Sequence, residues 1–268
     1  GVSYQAQQQI KNLGATSIIV RTIKPTEEAN SNSGSRSGIS YGLLRSDFER
    51  IITNVPTISA AVPMREISRD VRRDEFVVPA QVIGCTPEYF SINRLPIARG
   101  RPLAASDLQR LENVVVLAHD VAEQLFPIQD PLGRAIQIGT EFYVVVGIAE
   151  SRTASAAIGG SFSARQYNRD VYIPLDTFRK RIGDRVITVR GGTFQNETVE
   201  LNQITAVVDD VSSVDTSADI IRELLRRYHK LVDYAVVVPK ELLEQAETMR
   251  VMFNVLLLLI AGISLVVG

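Results

Sequence analysis

Cysteine is nearly absent from this 268-residue sequence: Cys85 stands alone, tryptophan does not occur, and histidine occurs only at His119 and His229. One cysteine excludes an intrachain disulfide, and the single thiol reads as a small apolar core residue. Two histidines far apart, with no cysteine cluster beside them, give no zinc spacing. An excess of charge is missing too: 29 Lys and Arg stand against 30 Asp and Glu, for a net charge of −1. That leaves no electrostatic footprint for nucleic acid and no polyacidic tail. Arg outnumbers Lys among the basic residues, which reads as genome composition rather than phosphate binding. No G-x-x-x-x-G-K-[ST] occurs, so this stretch holds no P-loop and no nucleotide cofactor. Asp209-Asp210 lacks EF-hand spacing and reads as a turn. The opening residues do not read as a signal peptide, having no basic n-region and apolar h-region.

What is present is a substantial apolar fraction, 45% of residues, enough for a real core. The length suits two subdomains. The most informative segment is Val251–Gly268, VMFNVLLLLIAGISLVVG, which carries no charge. Eighteen such residues reach the lower limit for a membrane-spanning helix, with Gly262 and Ser264 as the small residues that close helix packing favours. The segment is expected to be the start of a transmembrane helix (251–268), in an excerpt from a longer protein. Upstream, Pro239 suits a first helical turn, and Leu242, Leu243, Ala246, Met249 and Phe253 recur at helical spacing. A helix from Pro239 to Gly268 would be about 45 Å long. Its flank lacks the positive excess that favours the cytoplasm. At the other end Val2, Ala6, Ile10 and Leu13 share one helical face, and Gly14 follows as a C-cap. Residues 1–14 and 239–250 are therefore expected to form a two-helix stalk, with Ile10, Leu13, Leu242, Leu243, Ala246 and Met249 as its mechanical seam.

Between the ends lie two β-α-β units. Ser17–Ile23 reads as a strand, Leu44–Val55 as a helix that Ser46 or Asp47 caps, and Ile58–Val71 as a strand. Gln203–Val208 reads as a strand, 209–213 as a turn, Val214–His229 as a helix, and Tyr234–Val238 as a strand. Arg226, Arg227, His229 and Lys230 complement the helix dipole. The middle, Glu75–Arg190, is β-rich, with strands at Phe76–Gly84, Asn113–Leu117, Ala135–Ile138, Phe142–Ala149, Val171–Pro174 and Arg185–Arg190 and a helix at His119–Phe126. Glu27–Gly42 and Ser151–Asn168 are rich in small and polar residues and read as loops. The fold class is α+β: a split, ferredoxin-like β-α-β layer (15–74 and 191–238) with an inserted β-rich subdomain (75–190).

Gly38-Ile-Ser40-Tyr-Gly42 matches G-x-S-x-G. A nucleophile elbow needs a strand before the serine and a helix after it. Here a loop precedes it, so a serine hydrolase is the weakest of the functional readings. Asn196-Glu-Thr198 is a glycosylation sequon with no expected role.

Several segments together carry a family resemblance. They are Val82-Ile-Gly84 with Pro87-Glu-Tyr89; Gly100-Arg101 followed by Asp107; Val114–Leu117 leading to Val121-Ala122 and Leu125-Phe126; Asp130-Pro-Leu-Gly133; Phe142–Gly147; and Val171-Tyr-Ile-Pro-Leu175 with Thr177. Leu224-Leu225 before Tyr228-His229, Asp233-Tyr234 and the exit Ile263–Gly268 complete the set. In order and spacing these resemble the MacB-like periplasmic core domain of FtsX-like ABC-transporter permeases. The motif residues themselves read as scaffold; Asp130-Pro-Leu-Gly133, for instance, is a turn. The resemblance implies a non-catalytic extracytoplasmic domain at the cell inner membrane, between the first two helices of a permease. Its α/β layer would be porter-like and its inserted part sabre-like. The implied partners are an ABC ATPase domain or subunit that carries ATP and Mg, a second permease copy in a dimer, and a periplasmic adaptor with an outer-membrane duct. The implied function couples cytoplasmic ATP hydrolysis to export. The alternative is a membrane-anchored regulatory domain that controls an extracytoplasmic partner.

Overall fold

The computed structural model describes residues 16–25, 39–151, 167–190 and 193–239. It shows a mixed α/β domain built on one ten-stranded sheet. In chain order the elements are β1 (Ser17–Thr22), β2 (Ile39–Ser40), α1 (Arg45–Asn54), β3 (Ile58–Arg73), β4 (Phe76–Cys85), α2 (Glu88–Ile92), β5 (Ile97–Gly100), α3 (Ala105–Gln109), β6 (Val114–Leu117) and α4 (His119–Leu125). They continue with β7 (Ala135–Ile138), β8 (Glu141–Ala149), β9 (Asp170–Pro174), α5 (Leu175–Arg181), β10 (Arg185–Arg190), β11 (Thr193–Thr198), β12 (Gln203–Val208), α6 (Val214–Tyr228) and β13 (Tyr234–Val237).

One end of the sheet runs β13-β1-β12-β3, each pair antiparallel. This is the order that two interleaved β-α-β units produce: β1 and β3 flank β12, and α1 and α6 connect the members of each unit. The period-2 pattern of the strands sends Ile18 and Val20 of β1, and Ile204 and Val208 of β12, to the helix side. There they meet Ile51 and Val55 of α1 and Val214, Ala218, Ile221 and Leu225 of α6. The 3.6-residue spacing of these α6 positions is why one face of that helix is buried.

β3 is long enough to serve both parts. Its first half pairs with β12 and its second half with β4 and β7. From there the pairings close on themselves: β3–β4, β4–β9, β9–β6, β6–β8, β8–β7, and β7 back to β3. Closure removes the exposed edges that a sheet of this size would otherwise present. β5 pairs onto β8 outside the ring. One face of the ring strands packs Val71, Val82, Leu117, Ile138, Tyr143 and Ile173 together with Leu125 of α4 and Phe178 of α5. The opposite face packs Met64, Ile83, Cys85 and Tyr172 against Tyr89 and Phe90 of α2. Cys85 is thus a buried apolar filler, as the sequence predicts. A separate three-stranded sheet, β10-β11-β2, lies beside the main one.

Several elements differ from the sequence reading. The stretch read as the loop Glu27–Gly42 contains β2, and α2, α3, α5, β5 and β11 were not expected from the sequence. Leu44–Val55 begins at Arg45, with Leu44 as N-cap. Among the described residues no helix is long and apolar enough to cross a membrane. The expected stalk helices, with Ile10, Leu13, Leu242, Leu243, Ala246 and Met249, and the expected transmembrane start at 251–268 lie outside the described residues.

Candidate functional site

The residues that carry the family resemblance fall into place as supports. Gly84 leaves room for Phe178, whose Cβ lies 2.7 Å from where a Cβ on residue 84 would sit. Tyr89 and Phe90 pack their rings on Tyr172, with centroids 5.6 and 5.4 Å away. Thr177 is fully buried and donates its hydroxyl to the carbonyl of Glu112 at 3.0 Å. The Leu132 amide donates to Asp130 at 3.1 Å and Gly133 adopts φ +74°, so the Asp-Pro-Leu-Gly turn forms as its residue types dictate. Arg101 donates twice to Asp107, at 2.7 and 3.0 Å, and Asp107 accepts the Ala104 amide at the start of α3.

Two polar clusters do more than hold one turn. The first joins α1, α6 and β13. His229 ends α6, where its amide donates to the carbonyl of Leu225 at 2.8 Å. Its ring Nδ1 lies 2.7 Å from Asp233 Oδ1 and its Nε2 lies 2.9 Å from Asp47 Oδ2. The His229 side chain is 5% exposed and that of Asp47 is 0%. Asp47 also accepts the Leu44 amide at 2.7 Å, which satisfies an orphan N–H at the start of α1, and pairs with Arg50 at 2.9 Å. Asp233 accepts the Gly42 amide at 2.6 Å. The hydrogen bond to Asp47 raises the His229 pKa above its ordinary value, burial opposes the rise, and Asp233 adds to it. Burial pushes the Asp47 carboxyl up, but the bonds from His229 and the Leu44 amide, with the charges of His229 and Arg50, hold it below the usual range.

The second cluster sits where the two parts of the sheet meet. Arg45 grips Asp184 with both terminal nitrogens, at 2.9 and 2.7 Å. Arg65, 2% exposed, reaches the side chain of Asn202 and the carbonyls of Glu66 and Asp184. Burial pulls the Arg65 pKa down, and the nearby Asp184 opposes this. The cluster ties β3 to the start of β10 and to the turn before β12. Neither cluster was assembled by sequence reasoning. In the sequence Asp47 reads as a possible cap, and His229 as a dipole partner and part of the Tyr228-His229 family motif.

The G-x-S-x-G stretch is a structural crossing. Gly38 lies outside the described residues; Ser40 is exposed in β2, and α1 begins five residues later, at Arg45. Gly42 adopts φ +85°, and a Cβ there would run into the Thr22 side chain. Both ring nitrogens of His229 are bound by carboxylates, so neither is available to activate a serine. Among the described residues no group of three or more His, Cys, Asp and Glu is arranged to hold a metal ion.

Comparison with known proteins agrees with this picture of a scaffolded, support-rich domain. Residues 1–224 match the MacB-like periplasmic core domain. A macrolide export ATP-binding/permease protein MacB of Rhodospirillum rubrum is 30% identical over 263 residues, which is 97% of this chain and 36% of the relative. One from Azoarcus sp. is 23% identical over 269 residues, 100% of this chain and 37% of that protein. The chain therefore spans little more than a third of the length of these relatives. Among solved structures, the periplasmic region of MacB from Actinobacillus actinomycetemcomitans superposes with a TM-score of 0.61 at 17% identity. The match covers 93% of this chain and 98% of that one. The extracellular domain of the Gram-positive noncanonic ABC-type transporter YknZ gives a TM-score of 0.59 at 15% identity, covering 82% and 99%. On its sequence match over residues 1–224, the chain belongs to the MacB-like periplasmic core domain family of FtsX-like ABC-transporter permeases.

Proposed function

We propose that this chain is the extracytoplasmic part of an inner-membrane ABC permease, and that it passes motion from a cytoplasmic ATPase to an exported substrate. One observation carries the mechanical reading. β1 and β13 are neighbouring antiparallel strands, with Ile19 opposite Val237. Thr16 and Pro239 therefore lie at the same end of the sheet, and the segments that flank the described fold depart from adjacent points. A displacement of those segments would act directly on two bonded strands, then on β12 and β3. β3 runs without a break into the closed ring. On this reading residues 15–74 and 191–238 form the driven unit and 75–190 the inserted, partner-facing unit. The partners would be an ATPase domain or subunit, a second permease copy, and a periplasmic adaptor with its outer-membrane duct.

The test acts on the segment after Pro239. A helix transmits displacement because its hydrogen bonds lie within the segment. A proline inside it removes one bond and clashes with the preceding turn, at about 3 kcal/mol. Glu247→Pro in the full-length protein is expected to leave ATP hydrolysis running while export per ATP collapses. Glu247→Ala is expected to keep both. Inverted vesicles supplied with a macrolide, the cargo in the relatives' names, allow both rates to be measured together. Export per ATP at the wild-type level in Glu247→Pro would reduce the segment to a tether.

A further inference from the structure

The geometry around His229 asks for a proton. A neutral imidazole has one N–H and one lone pair, whereas an imidazolium donates from both nitrogens. Both nitrogens face carboxylate oxygens, at 2.7 and 2.9 Å, in a nearly closed site. Only the charged ring satisfies both. If the proton leaves, one carboxylate must face a lone pair, and the two carboxylates differ in what else holds them. Asp47 keeps the Leu44 amide and Arg50. Among the described residues Asp233 keeps the Gly42 amide alone. The Asp233 side is therefore the one that gives way.

We propose that Asp47, His229 and Asp233 form a protonation-gated latch, in which charged His229 clamps the 230–233 turn and the Gly42–Leu44 crossing onto the α1–α6 pair, and loss of the proton releases the Asp233 side. The turn it controls carries Leu231 and Val232, the latter 81% exposed, and lies beside the exposed Ile23 at the end of β1. The Ile23 amide donates to the Asp233 carbonyl at 2.8 Å, so the same turn also anchors β1. It sits at the opposite end of β1 and β13 from the departing chain segments. The latch thus sets the order of an apolar tip without touching the core.

Among the described residues the surroundings supply no competing switch. From α1 the charged neighbour is Arg50, which also lies 4.0 Å over the Tyr228 ring of α6. Tyr234 of β13 packs edge-on to His229 with centroids 5.1 Å apart. Further along α6, Arg226 and Glu223 are paired with each other and look toward Tyr234. β1 brings Thr22 and Ile23, neither of them titratable, and Lys24 beyond them is paired with Glu197. Because the partners hold the His229 pKa above its ordinary value of about 6.5, the latch is closed in acid surroundings and opens as pH rises through the shifted value.

Hydrogen–deuterium exchange of the full-length chain in lipid nanodiscs tests this, with rates corrected for intrinsic base catalysis. Between about pH 6 and about pH 9, protection of peptides covering 39–44 and 229–234 is expected to fall severalfold as the ring loses its proton. Peptides from the core of α6 should not change. His229→Gln should leave both segments poorly protected at every pH. His229→Lys, which keeps a positive charge through this range, should flatten the profile in the protected state. Protection independent of pH in the natural sequence, or the same slope in His229→Gln, would overturn the proposal, and these two measurements decide it even if His229→Lys does not fold.

Discussion

Asp47→Ala is expected to destabilise the domain by about 3 kcal/mol, the cost of removing one partner of a buried, hydrogen-bonded charge pair. The effect is large because one carboxylate serves three elements. It accepts the Leu44 amide at the start of α1, pairs with Arg50 on that helix, and faces His229 at the end of α6. Alanine leaves His229 Nε2 and the Leu44 amide without their acceptor in a site that is almost closed to water, with Asp233 as the remaining carboxylate on the ring. Asp47→Asn keeps the volume and an acceptor for the amide, so its loss should be smaller. Urea unfolding of residues 16–239 at pH 6 would measure both, and equal midpoints for Asp47→Ala and the natural sequence would remove the cluster from the list of stabilising features.

The same cluster sets a pH optimum. The His229 pKa is raised on folding, so its contribution is complete below the ordinary histidine value of about 6.5 and is lost as pH rises through the shifted one. The Asp47 pKa is lowered, so its contribution is complete above the ordinary aspartate value of about 4 and is lost as pH falls through the depressed one. Both act fully in the window between those two ordinary values, and stability should be greatest there. His229→Gln should remove the alkaline decline and shrink the acid one, which then rests on the Leu44 amide and Arg50.

Much of the four-stranded layer was legible because its elements obey their own periods. Gln203–Val208 reads as a strand and is one, residue for residue. The helix read over Val214–His229 forms as Val214–Tyr228 and buries Val214, Ala218, Ile221 and Leu225, while Ile220 and Tyr228 stay exposed. The missed elements had weaker or misread signals. α5 follows Pro174 directly, and the proline reads as a strand terminator although it also suits the start of a helix. Asp176 in the first turn and Arg179, Lys180 and Arg181 in the last carry the dipole pattern that could have identified it. β11, TFQNET, has no apolar alternation at all and exists because β10 pairs with it.

Ring closure and the His229 cluster lie beyond local pattern for a different reason. Val71 meets Ile138 across the ring, and Asp47 meets His229 across most of the chain. No period in sequence encodes either meeting. The partner of His229 that was within reach is Asp233, four residues on. Its spacing is a signal, but Asp233-Tyr234 reads first as a family motif ahead of a strand.

Gly147→Ala should be the sharpest test of how the ring and β5 are joined, with an expected loss of about 3 kcal/mol or more. Gly147 lies in β8 between Gly100 of β5 and Val116 of β6. A Cβ there would overlap the carbonyl oxygen of Arg101 and lie 3.1 Å from its carbonyl carbon. These are backbone atoms, so no rotamer change relieves the clash. The backbone of residue 101 is itself fixed, because its amide donates to the Val146 carbonyl at 2.9 Å and its guanidinium to Asp107. Gly100 before it holds φ +76° against that same Val146 carbonyl. An alanine at 147 must push β5 off β8 or break the Arg101 turn. Gly139 is the control. It has a positive φ, +63°, which Gly147 does not, and no atom lies within 4 Å of its added Cβ. Gly139→Ala should therefore cost only the left-handed backbone term, about 1 kcal/mol. Thermal melts of the two variants separate the readings. If Gly147→Ala melts no lower than Gly139→Ala, the strands slide to accept a methyl group, and the close approach of β5 to β8 is permissive rather than fixed.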